Sequence, residues 1–196
     1  WLAALQGGVA GIGQSLHGLG GGHMRLHYVG HHLAHLGNAL LPSGLAEADF
    51  FIADGFGETT TGLIGTATAA GLIELAANRT PHSLGLFYSA FTDFLGFRPN
   101  GDEWKVMALA ARGNSRTYYN LLRPLIIVTG LHFDVDLRYF EFFLPFTPHY
   151  YSPKLVALLG PPLARNAPLT QREYDLVAAV QRITEEVVFE LLANLH

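Results

Sequence analysis

Apolar residues Leu33, Leu36, Leu40 and Leu41 recur at helical spacing along HHLAHLGNALLPS, and Pro42 closes the element they predict. Just before it, Arg25 to Val29 (RLHYV) has the composition of a short strand. The period then changes. Ala48 to Ala53 (ADFFIA) is a continuous apolar run of strand length ending at Asp54, and Thr59 to Thr66 and Leu72 to Ala77 are two further strand-like stretches. Their connections are too short for parallel crossovers, so they predict an antiparallel three-stranded meander. Helices follow. Ser83 is placed to cap a helix over Leu84 to Leu95, stopped by Gly96 and Pro99, and Glu103 to Ala111 predicts another, ending at Arg112-Gly113. In the aromatic-rich middle, Tyr118 to Tyr151, residues Ile126 to Val128 and His132 to Val135 read as strands and Tyr139 to Phe143 as a short helix. Thr170-Gln-Arg-Glu173 is a capping box opening a last helix to Asn194, with Tyr174, Val177, Val180, Val187, Val188, Leu191 and Leu192 on its apolar face. The elements predict an α/β fold.

Composition narrows the class. The chain of 196 residues suits one domain or a large piece of one. It contains no cysteine, which excludes a disulfide framework, a thiolate metal site and a cysteine nucleophile. A net charge of −4, with Lys105 and Lys154 the only lysines, offers no basic field for nucleic acid. Only 14% of residues are charged, against roughly 25% in an average domain, which is unusually low for a free-standing soluble protein. Trp1 to Met24 carries no charge, but eight of its residues are glycine and Gln14, His17 and His23 interrupt it. A membrane-spanning helix needs ~20 mainly apolar residues, so that stretch reads as helix and loop, without a membrane partner and with a cytoplasmic location expected. The opening on Trp1 rather than Met reads as an internal start.

The candidate chemistry lies early. His31 and His35 stand at i and i+4 of the predicted helix, a spacing that lets two imidazoles reach one cation. Taken alone, HxxxH also describes two partly exposed histidines. Asp54, at the end of an apolar strand, adds a carboxylate, and two imidazoles with a carboxylate suit Fe(II), Zn or Mn. Gly55-Phe56-Gly57-Glu58 and the threonines after it give a turn able to approach an anionic group, although DGFG is also an ordinary turn composition. The Gly11-Ile-Gly13 stretch lacks the third glycine of a dinucleotide fingerprint, and no phosphate-binding GxxxxGK[ST] occurs.

Taken together, HHLAH (His31 to His35), ADGFGETTT (Ala53 to Thr61), PHSLGLFYSAFTDFLGFRPN (Pro81 to Asn100) and DEWKVMALA (Asp102 to Ala110) resemble the O-carbamoyltransferases of the NodU/CmcH family. The resemblance continues through LLGPP (Leu158 to Pro162) and DLVAAVQRITEEV (Asp175 to Val187). It implies part of an actin/sugar-kinase-like, ribonuclease-H-like ATPase fold. Residues 1–47 would be the end of a first lobe carrying the HxxxH helix, and residues 48–196 the first part of a second lobe with a helical insertion. It implies His31, His35 and Asp54 as metal ligands, commonly of iron, and Gly55, Gly57, Glu58, Thr59 and Thr60 beside the phosphates of ATP. Glu103, Lys105 and His82 are further candidates, His82 without an assigned role.

The activity implied is transfer of a carbamoyl group from carbamoyl phosphate, through carbamoyl adenylate, to the hydroxyl of a small-molecule acceptor. Sugar, macrolide, cephem and nodulation-factor hydroxyls all remain open as acceptors. The adenylate-forming domain and the missing lobes would be partners in the same polypeptide, and this stretch alone is expected to be inactive. The family's usual EGEYKVMGLAPYG stands here as GDEWKVMALAARG, with changes at Ala108 and Ala111-Arg112. Phe56, Trp104 and Met107 read as packing residues, and His27 and His32 as structural or surface. Two alternatives compete: a threonylcarbamoyl-transferase-like enzyme acting on tRNA, and a non-catalytic metal- or nucleotide-binding scaffold.

Overall fold

A computed structural model describes residues 27–196; the readings of Trp1 to Met24 and of Arg25 and Leu26 lie outside them. His27 to Gly30 form no strand, so the strand expected through Val29 is not present over its described part. Helix α1 (His31–Ser43) follows, and Pro42 lies inside its last turn. The helix ends because Gly44 takes a left-handed φ of 71°, which costs glycine little. Its apolar stripe is only partly used. His32 and Leu36 are buried, while Leu33 and Leu41 are exposed.

The meander is antiparallel as expected, in the order β1 (Ala48–Gly57), β2 (Thr60–Thr68), β3 (Gly71–Arg79). Its central strand is the buried one, with Thr61 to Gly65 all enclosed. β1 does not stop at Asp54 but runs on to Gly57. Between the pairs Ala53–Gly62 and Gly57–Thr60, residues 54–56 of β1 stand against Thr61 alone. Asp54 therefore opens a bulge, a device that bends a strand and re-aims its side chains.

Helix α2 (Leu84–Phe94) is buried nearly all round. Ser83 caps it by accepting a hydrogen bond from Leu86 N–H at 3.1 Å. One side of α2 packs on β1 and another on the long helix α6 (Gln171–Leu195). Phe87, Phe91 and Phe94 are fully enclosed, each contributing about 1.5–3 kcal/mol by burial. Helices α3 (Glu103–Ala110) and α4 (Arg116–Leu122) flank α6. After a 3-10 turn come the hairpin β4 (Ile126–Thr129) and β5 (His132–Val135), a second 3-10 turn over Leu137–Tyr139, and helix α5 (Pro153–Leu159).

The short helix expected over Tyr139 to Phe143 does not form. Phe140 is extended, bridges to Tyr151, and inserts its ring among Phe87 and Phe91 at centroid distances of 5.5 and 6.0 Å. Burial of that one ring decides the local conformation, as tertiary packing commonly does for aromatic residues. Trp104 and Met107, expected to pack, are exposed. The fold is thus α/β, a three-stranded antiparallel sheet with helices, and among the described residues no helix is long and apolar enough to cross a membrane.

Candidate metal centre

α1 and the β1 bulge bring three donor atoms to one point. His31 Nε2 lies 2.5 Å from Asp54 Oδ2, His35 Nε2 lies 3.2 Å from the same oxygen, and the two Nε2 atoms are 3.1 Å apart. A cation bound at roughly 2.0–2.2 Å by imidazole and carboxylate has neighbouring ligand atoms about 3 Å apart, so this triangle fits one ion. Among the described residues this is the one cluster of three such side chains whose ligand atoms all lie within 4.8 Å of one another. The side chains are partly open to solvent, Asp54 at 33% and His31 at 42% exposure, which leaves room for a further ligand. Partial burial works against the Asp54 carboxylate. Hydrogen bonds from His31 and from Gly55 N–H, at 2.6 Å, outweigh it and hold the carboxyl below its ordinary range.

The backbone beneath Asp54 is fixed from α2. The Ser83 hydroxyl donates to Gly55 O at 2.6 Å, with Asp54 O also within 3.0 Å, while its oxygen caps α2. Gly85, in the first turn, packs its Cα directly on the Asp54–Gly55 peptide. The PHSLG string thus builds the floor under the ligand strand. Sequence reasoning assigned Ser83 only the cap.

The remaining candidates fall into two groups. Gly55, Gly57, Glu58, Thr59 and Thr60 follow Asp54 through the bulge and the β1–β2 hairpin, as their spacing requires. Gly57 is buried against the His31 ring. Glu58, at a left-handed φ of 49°, directs its carboxylate to His31 N–H at 3.2 Å. It supplies the N-terminal cap that Gly30 has no side chain to provide. The Thr60 hydroxyl bonds His32 Nδ1 at 2.6 Å and Gly57 O at 3.2 Å. Burial, and then the neighbouring His31, push His32 below the ordinary histidine range, which favours its uncharged form.

The second group is not brought to the triad. Glu103 accepts from Ser89 Oγ and Asn100 N–H, each at 2.6 Å, and Lys105 pairs with Asp102 at 2.9 Å. His82 joins β5 instead, its Nδ1 accepting from Val135 N–H at 3.0 Å. With that lone pair committed, the Asp134 carboxylate 3.5 Å away is a neighbour rather than a hydrogen-bond partner. A cavity of about 540 Å³ at the far end of α2, lined by Asp93, Phe97, Arg98, His149 and Arg165 among others, includes none of the candidates.

Known proteins bear on this geometry. Uncharacterized protein sll1178 of Synechocystis sp. is 36% identical over 82% of this chain, covering 26% of its own length. Nodulation protein NolNO of Sinorhizobium fredii is 29% identical over 87% of the chain and 23% of its own length. Nodulation protein NolO of Bradyrhizobium diazoefficiens is also 29% identical, over 84% of the chain and 28% of its own length. The chain therefore spans about a quarter of each of these relatives. Residues 22–196 match the family described as carbamoyltransferase N-terminus, and the chain belongs to that family.

Proposed function

We propose that this chain carries the metal centre of a metal- and ATP-dependent O-carbamoyltransferase, with His31, His35 and Asp54 as ligands. What supports the reading is the convergence of the two Nε2 atoms and Asp54 Oδ2, at 2.5 to 3.2 Å, in a member of the carbamoyltransferase N-terminus family. The donor set, two imidazoles and a carboxylate, suits Fe(II) first and Zn or Mn next. A cation held there would supply Lewis-acid polarisation of a carbamoyl carbonyl. The protein's own part is to keep Asp54 ionised, to hold both imidazoles with their Nε2 atoms toward it, and to leave one side open to substrate.

The wider reading belongs to the whole polypeptide. Carbamoyl phosphate and ATP are its donors, a hydroxylated small molecule its acceptor, and the hairpin of Gly55, Gly57, Glu58, Thr59 and Thr60 borders the nucleotide phosphates. The fold is read as part of an actin/sugar-kinase-like ATPase, residues 1–47 closing its first lobe and 48–196 opening its second.

The test has two stages. Metal content after anaerobic loading with Fe(II) or Zn is measured for the wild type, His35→Ala and Asp54→Asn. One equivalent in the wild type and its loss in both variants is expected; equal content in all three would overturn the metal assignment and favour a scaffold. The full-length protein is then incubated with carbamoyl phosphate, ATP and a panel of hydroxylated acceptors. Acceptor mass rising by one carbamoyl group, in the loaded wild type only, is the expected result. Absence of any transfer across the panel counts against the enzymatic reading.

A further inference from the structure

The HxxxH helix is held to its sheet by very little apolar surface. Of α1 only His32 and Leu36 are buried, while Leu33 and Leu41 are 47% and 83% exposed. Its described contacts run mainly to β1 and β2. A helix attached so thinly can slip, and a one-residue slip moves each side chain by about 1.5 Å along the axis with a rotation of ~100°. Such a slip would take His31 and His35 away from Asp54. Something polar must therefore fix the register.

His32 is placed to do so. Thr60 Oγ–H donates to Gly57 O, so its oxygen accepts from His32 Nδ1–H across 2.6 Å. That assignment puts the imidazole proton on Nδ1 and leaves Nε2 a bare acceptor. Among the described residues no donor reaches Nε2, although the atom is buried. Leaving an interior acceptor unsatisfied is unfavourable, a penalty that leucine would avoid at the same position. The side chain that occupies it contributes through Nδ1–H. One residue earlier, the Glu58 carboxylate accepts from His31 N–H. Hairpin and helix are thus tied at two successive residues, and the hairpin is the continuation of the strand that carries Asp54.

We propose that His32, acting through the Thr60 hydroxyl, is a positioning residue that fixes α1 on the β1–β2 hairpin and so sets the separation of His31 and His35 from Asp54. The proposal rests on the metal reading above, and it extends that reading to a residue which is not itself a ligand. Groups that orient metal ligands in this way are commonly worth ten- to a hundred-fold in metal affinity.

The full-length protein is made as wild type, His32→Ala, Thr60→Val and Thr60→Ser, with a His32→Ala/Thr60→Val double variant. Two readouts are taken: Co(II) affinity with its visible spectrum, and amide hydrogen exchange of residues 31–43 without metal. Expected are a roughly ten- to a hundred-fold weaker affinity and faster exchange of α1 in His32→Ala and Thr60→Val. The double variant should be no worse than the worse single one, Thr60→Ser should behave as wild type, and exchange in α6 should stay unchanged. Wild-type exchange of α1 in both His32→Ala and Thr60→Val would overturn the proposal whether or not any metal binds. So would a Thr60→Val variant with wild-type Co(II) affinity and spectrum. Failure of the wild type to bind Co(II), with the exchange pattern as expected, would sink the metal reading while leaving the pin in place.

Discussion

A Cβ on Gly85 would lie 2.8 Å from the carbonyl oxygen of Asp54 and 2.6 Å from Gly55 N, closer than side chains approach backbone. The first turn of α2 therefore sits backbone on backbone under the residue that supplies the carboxylate of the triad. Gly85→Ala must push the β1 bulge away from α2. Overpacking of this kind costs about 1–3 kcal/mol, and here the displaced atoms are those of Asp54. We expect lower stability by urea unfolding together with weaker metal binding. A variant as stable and as tight as the wild type would show that α2 does not seat Asp54.

The opposite side of the triad gives a matched prediction. A Cβ on Gly57 would stand 2.6 Å from His31 Cδ2 and 2.8 Å from His31 Cβ and Cγ. Gly57→Ala therefore pushes on the helix side of the site, where Gly85→Ala pushes on the strand side. The two substitutions are expected to weaken metal binding through different ligands. Adding Gly57→Ala to His31→Gly should cost little further affinity, because the Cβ and ring atoms it would meet are already gone. Full additivity in metal titrations of the double variant would contradict that account.

A third prediction concerns the β4–β5 hairpin. Phe133 and Val135 are two apart on β5, so their peptide groups face the same edge. Among the described residues no strand pairs with that edge; side chains meet it, with Asn78 Nδ2 donating to Phe133 O at 2.7 Å and His82 Nδ1 accepting from Val135 N–H. Asn78 is buried. Asn78→Ala is expected to destabilise by about 1–3 kcal/mol, since it strands a carbonyl away from water. Exchange of the β5 amides should rise while α1 and the metal affinity stay as they were. Unchanged β5 protection would mean that apolar packing alone holds the hairpin.

Much of this molecule is legible along the chain, for reasons that differ by element. The meander shows because its strands are apolar runs with short connections, and α2 and α6 show because Ser83 and the Thr170–Glu173 box mark their starts. His31 and His35 are legible because i and i+4 is a local relationship. The roles of Ser83 and His32 at the site are not, since their partners lie 28 or 29 residues away and depend on the finished fold. The bulge at Asp54 is invisible for the same reason, being a property of two strands rather than one. Helix α5 could have been found, because Ser152 followed by Pro153 is a start signal. Helix α4 carries little signal of its own: of its residues only Leu122 is buried, and Thr117 and Tyr119 anchor it to Asp175 and Glu186 of α6.

The capping box of α6 predicts a pH dependence. Glu173 is buried, with Thr170 N–H and Oγ–H both donating to Oε2, at 2.9 and 2.6 Å, and Arg172 reaching Oε1 at 2.7 Å. Burial pushes its carboxyl up, but the bonds from Thr170 and Arg172 prevail and hold it below its ordinary value of 4.5. A carboxyl with a depressed folded pKa stabilises fully above its unfolded value, and the gain is lost as pH falls through the folded one. Glu173→Gln keeps the shape and removes the charge. It should therefore cost about 1.5–3 kcal/mol near neutrality, and the gap from the wild type should close as the solution is acidified below pH 4.5. Urea unfolding of both proteins at stepped pH measures that gap directly. A gap that stays constant into acid would mean that the Glu173 charge adds nothing to the start of α6.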